Sequence, residues 1–191
     1  TPHITIVSEE DPTSHIVPQT HNFYWLIDPL DGTKEFINRN GQFTVNLALI
    51  EDNAPSFGFV STPIDQILYW GGKHLGAWRL RDNTLEQLHT QASQTPMRVV
   101  ASRSHLNEAT RNFIANLGDT ALIQAGSSLK LLRIAEGEAD IYPRLAPTCE
   151  WDTAAAQAIL EGAGGKVAQV DGSPMQYGKA DILNPYFVAS S

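Results

Sequence analysis

The sequence has only one cysteine, Cys149, and few basic residues. With one thiol, an internal disulfide is impossible and a metal site built from several thiolates is excluded. Lys and Arg number 13 against 21 Asp and Glu, which gives a formal net charge of −8. A broad basic surface is therefore not available, and binding to nucleic-acid phosphates requires clustered Lys and Arg. We expect no nucleic-acid partner.

Long apolar runs are also missing. No stretch approaches the ~20 apolar residues of a membrane-spanning helix. The first residues, Thr1-Pro2-His3, do not have the basic and apolar regions of a signal peptide. We therefore expect no transmembrane segment. A lone cysteine fits a reducing compartment, so we expect a cytoplasmic protein, with the periphery of the inner membrane as the alternative location.

The apolar content of 42% is sufficient for a sizeable core, and its pattern divides the chain in two. Residues 1–95 consist of short apolar runs separated by turn residues, which predicts an antiparallel sheet. Residues 96–191 alternate strand and helix patterns, which predicts an α/β arrangement. We expect the first half to bind metal and the second half to complete the active site.

One apolar run, Phe23 to Ile27, leads directly into Asp28-Pro29-Leu30-Asp31-Gly32-Thr33. We expect a buried strand that ends in a tight turn, because proline and glycine are turn residues. A sharp turn can direct both carboxylates and the carbonyl of Leu30 to one point, and Mg²⁺ prefers such oxygen ligands. The glycine would let the backbone approach a phosphate closely. The alternative is an ordinary Asp-Pro turn with no ligand.

Two further acidic features have simple alternatives. Glu9 and Glu10 follow an apparent strand, and adjacent side chains on an extended chain point in opposite directions. Only one of the two would face the turn, and an isolated acidic pair is usually a solvated loop. Asp152 lies in the first turn of a predicted helix, where a carboxylate also favours the helix dipole without any metal.

The ordered combination of motifs resembles one enzyme family. These motifs are Ser8-Glu9-Glu10, Trp25 to Thr33, Gly126-Ser127-Ser128, Trp151-Asp152-Thr153-Ala154 and Gly164-Gly165. Together they resemble the inositol monophosphatase superfamily of lithium-sensitive, metal-dependent phosphatases, over essentially the whole chain. Other segments point to its 3′(2′),5′-bisphosphate nucleotidase (CysQ-type) branch: Lys34-Glu35-Phe36, Phe43-Thr44-Val45-Asn46, Ser102-Arg103-Ser104-His105 and Tyr142-Pro143-Arg144.

The resemblance implies a layered αβαβα sandwich and a site that holds two or three Mg²⁺ ions. The implied metal ligands are Glu9, Asp28, the Leu30 carbonyl, Asp31 and Asp152, with Glu10 behind them. The implied catalytic residues are Asp28, Asp31 and Thr33, whose hydroxyl would help to position the attacking water.

The same resemblance implies a set of substrate contacts: Glu9, Asp31, Gly32, Thr33, Lys34, His105, Ser127, Lys130, Arg144 and Asp152. Four of them have an equally simple structural interpretation. His105 would then be a loop histidine, Ser127 a plain N-cap, Lys130 a solvated helix residue and Arg144 the partner in a loop salt bridge.

The implied reaction is hydrolysis of the 3′-phosphate of adenosine 3′,5′-bisphosphate (PAP) to AMP and phosphate, with a role in sulfur metabolism. An inositol monophosphatase is the alternative, and a non-catalytic sensor or a scaffold would not need four carboxylates at these positions. We expect a monomer or a homodimer.

One departure from the family concerns the start of the chain. The two N-terminal helices of the family, and an aspartate that pairs with the counterpart of Thr33, have no equivalent before Glu9. We therefore expect an absent N-terminal segment, and we expect residues 1–191 by themselves to bind metal weakly and turn over slowly.

Overall fold

The computed structural model describes residues 4–15, 23–102 and 106–191. The first of its two sheets has seven strands in sequence order, β1 to β7. They are Thr5–Ser8, Phe23–Asp31, Thr44–Glu51, Ala54–Thr62, Ile67–Gly72, Gly76–Arg81 and Thr84–Leu88. The strands from β2 onward pair in antiparallel fashion, as the short apolar runs predict.

Strand β1 differs, because it pairs with β2 in parallel. The prediction of a wholly antiparallel sheet is therefore wrong at this edge. The two strands of a parallel pair run in the same direction. In consequence, the residues that follow β1 lie at the same edge of the sheet as the end of β2.

Strand β2 also continues further than predicted. It does not stop at Ile27 but runs to Asp31, with a shift in its register with β3 between Asp28 and Asp31. Pro29 has no N–H to donate and falls in this irregular stretch, where proline is tolerated in a sheet. The predicted tight turn is thus a bulge inside a strand. A short helix that the sequence reasoning missed, α1 (Thr33–Ile37), follows directly.

The second sheet has five strands in the order β11-β12-β10-β8-β9. They are β8 (Met97–Ala101), β9 (Thr120–Gln124), β10 (Ile141–Arg144), β11 (Lys166–Gln169) and β12 (Phe187–Ser190). The connecting helices are α2 (Glu108–Ala115), α3 (Leu129–Ala135) and α4 (Glu150–Gly162). The β8–α2–β9 connection and the β9–α3–β10 connection move along the sheet in opposite directions. Because such crossovers are right-handed, α2 and α3 cover opposite faces of the sheet.

Helix α4 forms the centre of the molecule. It packs on β2 to β6 of the first sheet, on α3 and on β11 of the second sheet. Its alanines are fully buried, and Gly58 on β4 lets it approach closely: a Cβ at that position would lie 2.0 Å from the carbonyl oxygen of Ala155. The described residues thus form sheet, helix, sheet and helix layers, which confirms the layered α+β fold. The additional outer helices implied by the resemblance are not among the described residues.

None of the helices in the described ranges is long and apolar enough to span a membrane.

Candidate metal and substrate site

Three carboxylates meet where β2, β3 and the start of α4 come together. Asp28, Asp31 and Asp152 each place one oxygen within 4.8 Å of the others. The bulge in β2 positions the first two, and the packing of α4 on the first sheet brings in the third. The structure therefore joins residues that lie more than a hundred positions apart in the sequence.

Asp28 is the most deeply buried of the three, with 1% of its surface exposed. Its Oδ1 accepts a hydrogen bond from the N–H of Leu30 at 2.9 Å. Its Oδ2 is buried and has no partner among the described residues. Burial, together with the nearby Asp31 and Glu9 carboxylates, raises the pKa of Asp28 to about 9. In the absence of a cation, this carboxyl group therefore retains its proton at neutral pH.

Asp31 is held by hydrogen-bond donors on one side only. Its Oδ2 accepts from Ser128 N and Oγ, both at 2.7 Å, from Asn46 Nδ2 at 3.1 Å and from Thr44 Oγ1 at 3.3 Å. These contacts fix the orientation of the carboxylate and leave Oδ1 as the oxygen that can face a ligand. Donors from β3 and from the residue before α3 thus anchor a residue of β2.

Asp152 combines two roles. It occupies the third position of α4, and its Oδ2 accepts from the backbone N–H of Cys149 at 2.7 Å. The interpretation of Asp152 as a good helix start is therefore correct, but it does not exclude the metal role, because the residue also belongs to the carboxylate cluster. Burial and the nearby Asp31 carboxylate raise the pKa of Asp152 to about 7.

Glu9 lies beside this cluster. Its N–H donates to the Ile27 carbonyl at 3.1 Å, which extends the parallel pairing of β1 and β2 by one residue. Its carboxylate is close enough to raise the pKa values of both Asp28 and Asp152. Glu9 and Glu10 are both exposed, so the first faces the cluster from the solvent side.

The three aspartates fit a divalent cation. Clustered acidic groups are costly to bring together unless a positive charge compensates for them. The buried Oδ2 of Asp28 receives no hydrogen bond from the described residues, and once the group has lost its proton this oxygen is the kind of ligand that a hard cation prefers.

Next to the carboxylates lies a cavity of about 160 Å³. The predicted substrate contacts that line it are Asp31, Gly32, Ser127, Lys130, Arg144 and Asp152. Acidic groups and two cations, Lys130 and Arg144, therefore line the same cavity. A cavity of this kind can hold an anionic group beside a metal site.

Lys130 is not a solvated helix residue, because only 9% of its surface is exposed. Its Nζ donates to the Ser127 carbonyl at 2.5 Å and lies 5.8 Å from the centre of the Tyr142 ring. Burial lowers the pKa of Lys130 to about 8, and the nearby Asp31 partly offsets this effect. The amine therefore remains largely protonated at neutral pH, and an anion in the cavity would stabilise its charge.

Arg144 and Ser127 also differ from their simple interpretations. Arg144 lies at the end of β10 and donates to the carbonyls of Ala146 and Pro147, at 3.0 and 2.6 Å, not to an acidic partner. Ser127 precedes the N-cap residue of α3, which is Ser128. Its φ is 50°, and its hydroxyl contacts Thr44 Oγ1 at 2.6 Å and donates to the Asp31 carbonyl at 3.1 Å.

The remaining predicted contacts have varied locations. Gly32 has a φ of 92°, a left-handed conformation that favours glycine, and a Cβ there would lie 3.4 Å from Ser127 Cβ. Thr33 and Lys34 are exposed in α1 and, among the described residues, are not part of the cavity lining. The Leu30 carbonyl stays a prediction, and His105 lies outside the described residues.

Sequence reasoning missed three residues that hold Asp31: Thr44, Asn46 and Ser128. For the first two, the sequence offers one indication: a polar side chain at a strand position that should be buried. Along β3 the inward positions alternate, and two of them carry Thr44 and Asn46, which are 0% and 1% exposed. Buried polar groups require partners. The Thr44 hydroxyl and the Asn46 Nδ2 find theirs in the carboxylate of Asp31, whereas Asn46 Oδ1 has none among the described residues.

Comparisons with known proteins agree with this geometry. A model of the inositol monophosphatase family matches residues 1–191. The 3′(2′),5′-bisphosphate nucleotidase CysQ of Salmonella typhimurium is 43% identical over 188 residues, which cover 98% of this chain and 76% of that protein. CysQ of Escherichia coli K12 is 42% identical over 191 residues, which cover 100% of this chain and 77% of the relative.

Solved structures give the same result. CysQ from Bacteroides thetaiotaomicron, a bacterial member of the inositol monophosphatase family, matches with a TM-score of 0.90 at 40% identity, covering 99% of this chain and 77% of that one. Inositol monophosphatase II from Staphylococcus aureus matches with a TM-score of 0.83 at 20% identity, over 99% of this chain and 70% of that one. At that identity the second match shows the shared fold alone.

Proposed function

The chain belongs to the inositol monophosphatase family, and on that premise we propose that it is a Mg²⁺-dependent phosphatase that hydrolyses the 3′-phosphate of PAP. The observation that carries the proposal is the convergence of Asp28, Asp31 and Asp152 beside a cavity that Lys130 and Arg144 also line. In the reaction, water oxygen bonds to phosphorus, the bond from phosphorus to O3′ breaks, and the leaving oxygen takes up a proton.

Asp28, Asp31 and Asp152 would hold the cation, with Glu9 and the Leu30 carbonyl as further ligands. When bound, Mg²⁺ supplies Lewis-acid activation and neutralises negative charge at the phosphate. The contribution of the chain is orientation: Thr44, Asn46 and Ser128 fix Asp31, and the Cys149 N–H fixes Asp152. Preorganised groups of this kind need little rearrangement during the reaction.

The two cations of the cavity favour a bisphosphate over an inositol monophosphate. PAP carries a second phosphate, which needs a cation away from the reacting group. Lys130 and Arg144 line the cavity and would meet that second charge, with Ser127 and His105 as further contacts. An inositol monophosphate has no second anion to use them. The 42–43% identity to bisphosphate nucleotidases supports the same choice.

The test is phosphate release from PAP, its 2′,5′ isomer and inositol 1-phosphate, measured side by side with and without Mg²⁺. We expect PAP to be hydrolysed faster than inositol 1-phosphate and only with the metal. Asp31→Asn should abolish nearly all turnover while the protein remains folded. Asp171→Asn, in an exposed turn, is the matched control. Faster hydrolysis of inositol 1-phosphate, or an active Asp31→Asn variant, would contradict the proposal.

We further propose that the protein acts in the cytoplasm as a monomer or homodimer. The single cysteine and the acidic composition support the location. Light scattering of the purified protein would distinguish the two oligomeric states.

A further inference from the structure

The first turn of α4, which carries Asp152, is held by a segment that follows much later in the chain. The Glu150 N–H donates to the Ile182 carbonyl at 2.9 Å, and the Asn184 N–H donates to the Thr148 carbonyl at 2.8 Å. Between these two bonds, the backbones of Cys149 and Leu183 form an isolated antiparallel β-bridge. Residues 182–184 thus pair with residues 148–150 like a short strand, directly before the helix begins.

The side chain of Asn184 adds the strongest part of this contact. It is 8% exposed, and its Nδ2 donates to the Cys149 carbonyl at 2.6 Å. The same nitrogen lies 3.0 Å from Thr153 Oγ1 and 3.2 Å from Thr148 Oγ1. One amide therefore joins the residues on both sides of Asp152 to a common point.

Cys149 connects this amide to the carboxylate cluster. Its carbonyl accepts from Asn184 Nδ2, and its N–H donates to Asp152 Oδ2 at 2.7 Å. We propose that Asn184 is a positioning residue that fixes Cys149 and the first turn of α4, so that the free oxygen of Asp152 faces Asp28 and Asp31. This inference rests on the proposed role of Asp152 as a metal ligand.

A positioning role predicts a specific defect in metal binding. Without the amide, the Cys149 carbonyl loses its side-chain donor and keeps only the backbone pairing of residues 148–150 with residues 182–184. The orientation of the Asp152 carboxylate is then less well defined. Partners behind a metal ligand typically contribute about 10–100-fold in metal affinity. A merely structural role for Asn184 predicts lower thermal stability with no change in affinity below the melting temperature.

The experiment measures Mn²⁺ binding by calorimetry without substrate, together with the Mg²⁺ dependence of PAP hydrolysis. For Asn184→Ala we expect about 10–100-fold weaker Mn²⁺ binding. The Mg²⁺ concentration for half-maximal rate should rise in parallel, while kcat at saturating Mg²⁺ changes much less. Asn184→Leu keeps a side chain of similar size but offers no hydrogen-bond donor and adds no charge, and should show the same defect if the alanine variant fails to fold.

Tyr69→Phe is the control for a purely structural loss. Tyr69 is 2% exposed on β5, and its hydroxyl donates to Glu136 Oε1 at 2.9 Å, without a contact to the carboxylate cluster. We expect it to lower the melting temperature and leave Mn²⁺ affinity unchanged. If both Asn184 variants behave in the same way as Tyr69→Phe, the positioning role is wrong. If they bind Mn²⁺ weakly but the wild-type protein does not hydrolyse PAP, the proposed function fails and the positioning role stands.

Discussion

Two buried aspartates of this protein have opposite electrostatic environments. The side chain of Asp140 is fully buried next to Arg98, which contacts it at 2.6 Å through Nη2 and at 2.7 Å through its backbone N–H. Although burial acts to raise it, the hydrogen bonds from Arg98 hold the pKa of Asp140 below its usual range. Asp28 is equally buried, but its neighbours are acidic, and its pKa rises to about 9.

The difference separates a structural carboxylate from one that is kept ready for a ligand. A buried ion pair satisfies its own charge and needs nothing from solution. The Asp28 cluster, in contrast, lacks such a positive partner among the described residues, and under the proposed function a cation supplies it. Glu136 follows the pattern of Asp140, since it is paired with both Arg79 and Arg133.

The largest effect is expected for Asp28→Asn. Removing this carboxylate should reduce phosphatase activity by more than about 100-fold, since even indirect metal contacts contribute 10–100-fold. The metal-free protein should become more stable at neutral pH, by at least about 2–4 °C in melting temperature, because folding no longer has to add a proton to an acid that is ionised in the unfolded chain. Activity assays and thermal denaturation in EDTA test both parts. A lower melting temperature would show that Asp28 is a structural carboxylate like Asp140.

Arg98→Met should give the reverse result. The substitution leaves Asp140 buried without its partner, and loss of one member of a buried pair costs about 3–5 kcal/mol in the free energy of unfolding. Urea denaturation measures this loss. The Mg²⁺ dependence of activity should not change at temperatures where the variant is folded. A changed Mg²⁺ dependence would show that the Asp140–Arg98 pair is coupled to the Asp28 cluster.

Metal affinity should increase with pH. Asp152 and Asp28 have pKa values of about 7 and 9 in the absence of metal, and both must lose their protons to bind a cation. Between these values one proton is displaced, so affinity should rise by up to about tenfold per pH unit. Calorimetry in buffers of different ionisation enthalpy counts the protons released, and a count of zero at pH 8 would contradict the raised pKa of Asp28.

The stability of the metal-free protein should change with pH in the opposite direction to its metal affinity. In the unfolded chain an aspartate has a pKa of about 3.9, so between about pH 4 and 9 the folded state binds more protons than the unfolded state. The metal-free protein should therefore lose stability as the pH rises through this range, and saturating Mg²⁺ should weaken the dependence. Thermal denaturation in EDTA across this range provides the measurement.

The smallest effect is expected for Glu86, at the exposed end of the ion pairs that Arg79 forms with Glu86 and Glu136. Glu86 contacts Arg79, but its side chain is 48% exposed. Exposed ion pairs contribute about 0–1 kcal/mol, so Glu86→Gln should change the free energy of unfolding by less than about 1 kcal/mol. Glu136→Gln, whose side chain is 3% exposed in the same network, should cost more. Equal losses for the two variants would show that burial does not decide the strength of these pairs.

Local patterns predicted several elements well, because turn residues mark their ends. The short apolar runs of the first half predict antiparallel strands, and β2 to β7 pair in this way. The bulge in β2 could not be predicted in this way, since Asp-Pro with a nearby Gly is also typical of a turn. Pairing with β3 keeps Asp31 in the strand, and that pairing is a long-range contact.

The candidate site shows the same difference between what local patterns predict and what long-range contacts decide. The motif order led to Asp28, Asp31 and Asp152, but only the packing of α4 on the first sheet shows that the third lies within 4.8 Å of the others. The hydrogen bonds of Ser128 to Asp31 join residues 97 positions apart. No spacing rule reaches that far along a chain.

Gly58 on β4 influences the geometry of the carboxylate cluster, although it does not belong to that cluster. With no side chain at residue 58, the carbonyl of Ala155 rests almost directly on the strand. Ala155 lies one turn after Asp152, so the height of the helix above the sheet also sets how far that carboxylate stands from Asp28. A single methyl group at residue 58 would lift the helix, and the ligand set would open without the loss of any ligand.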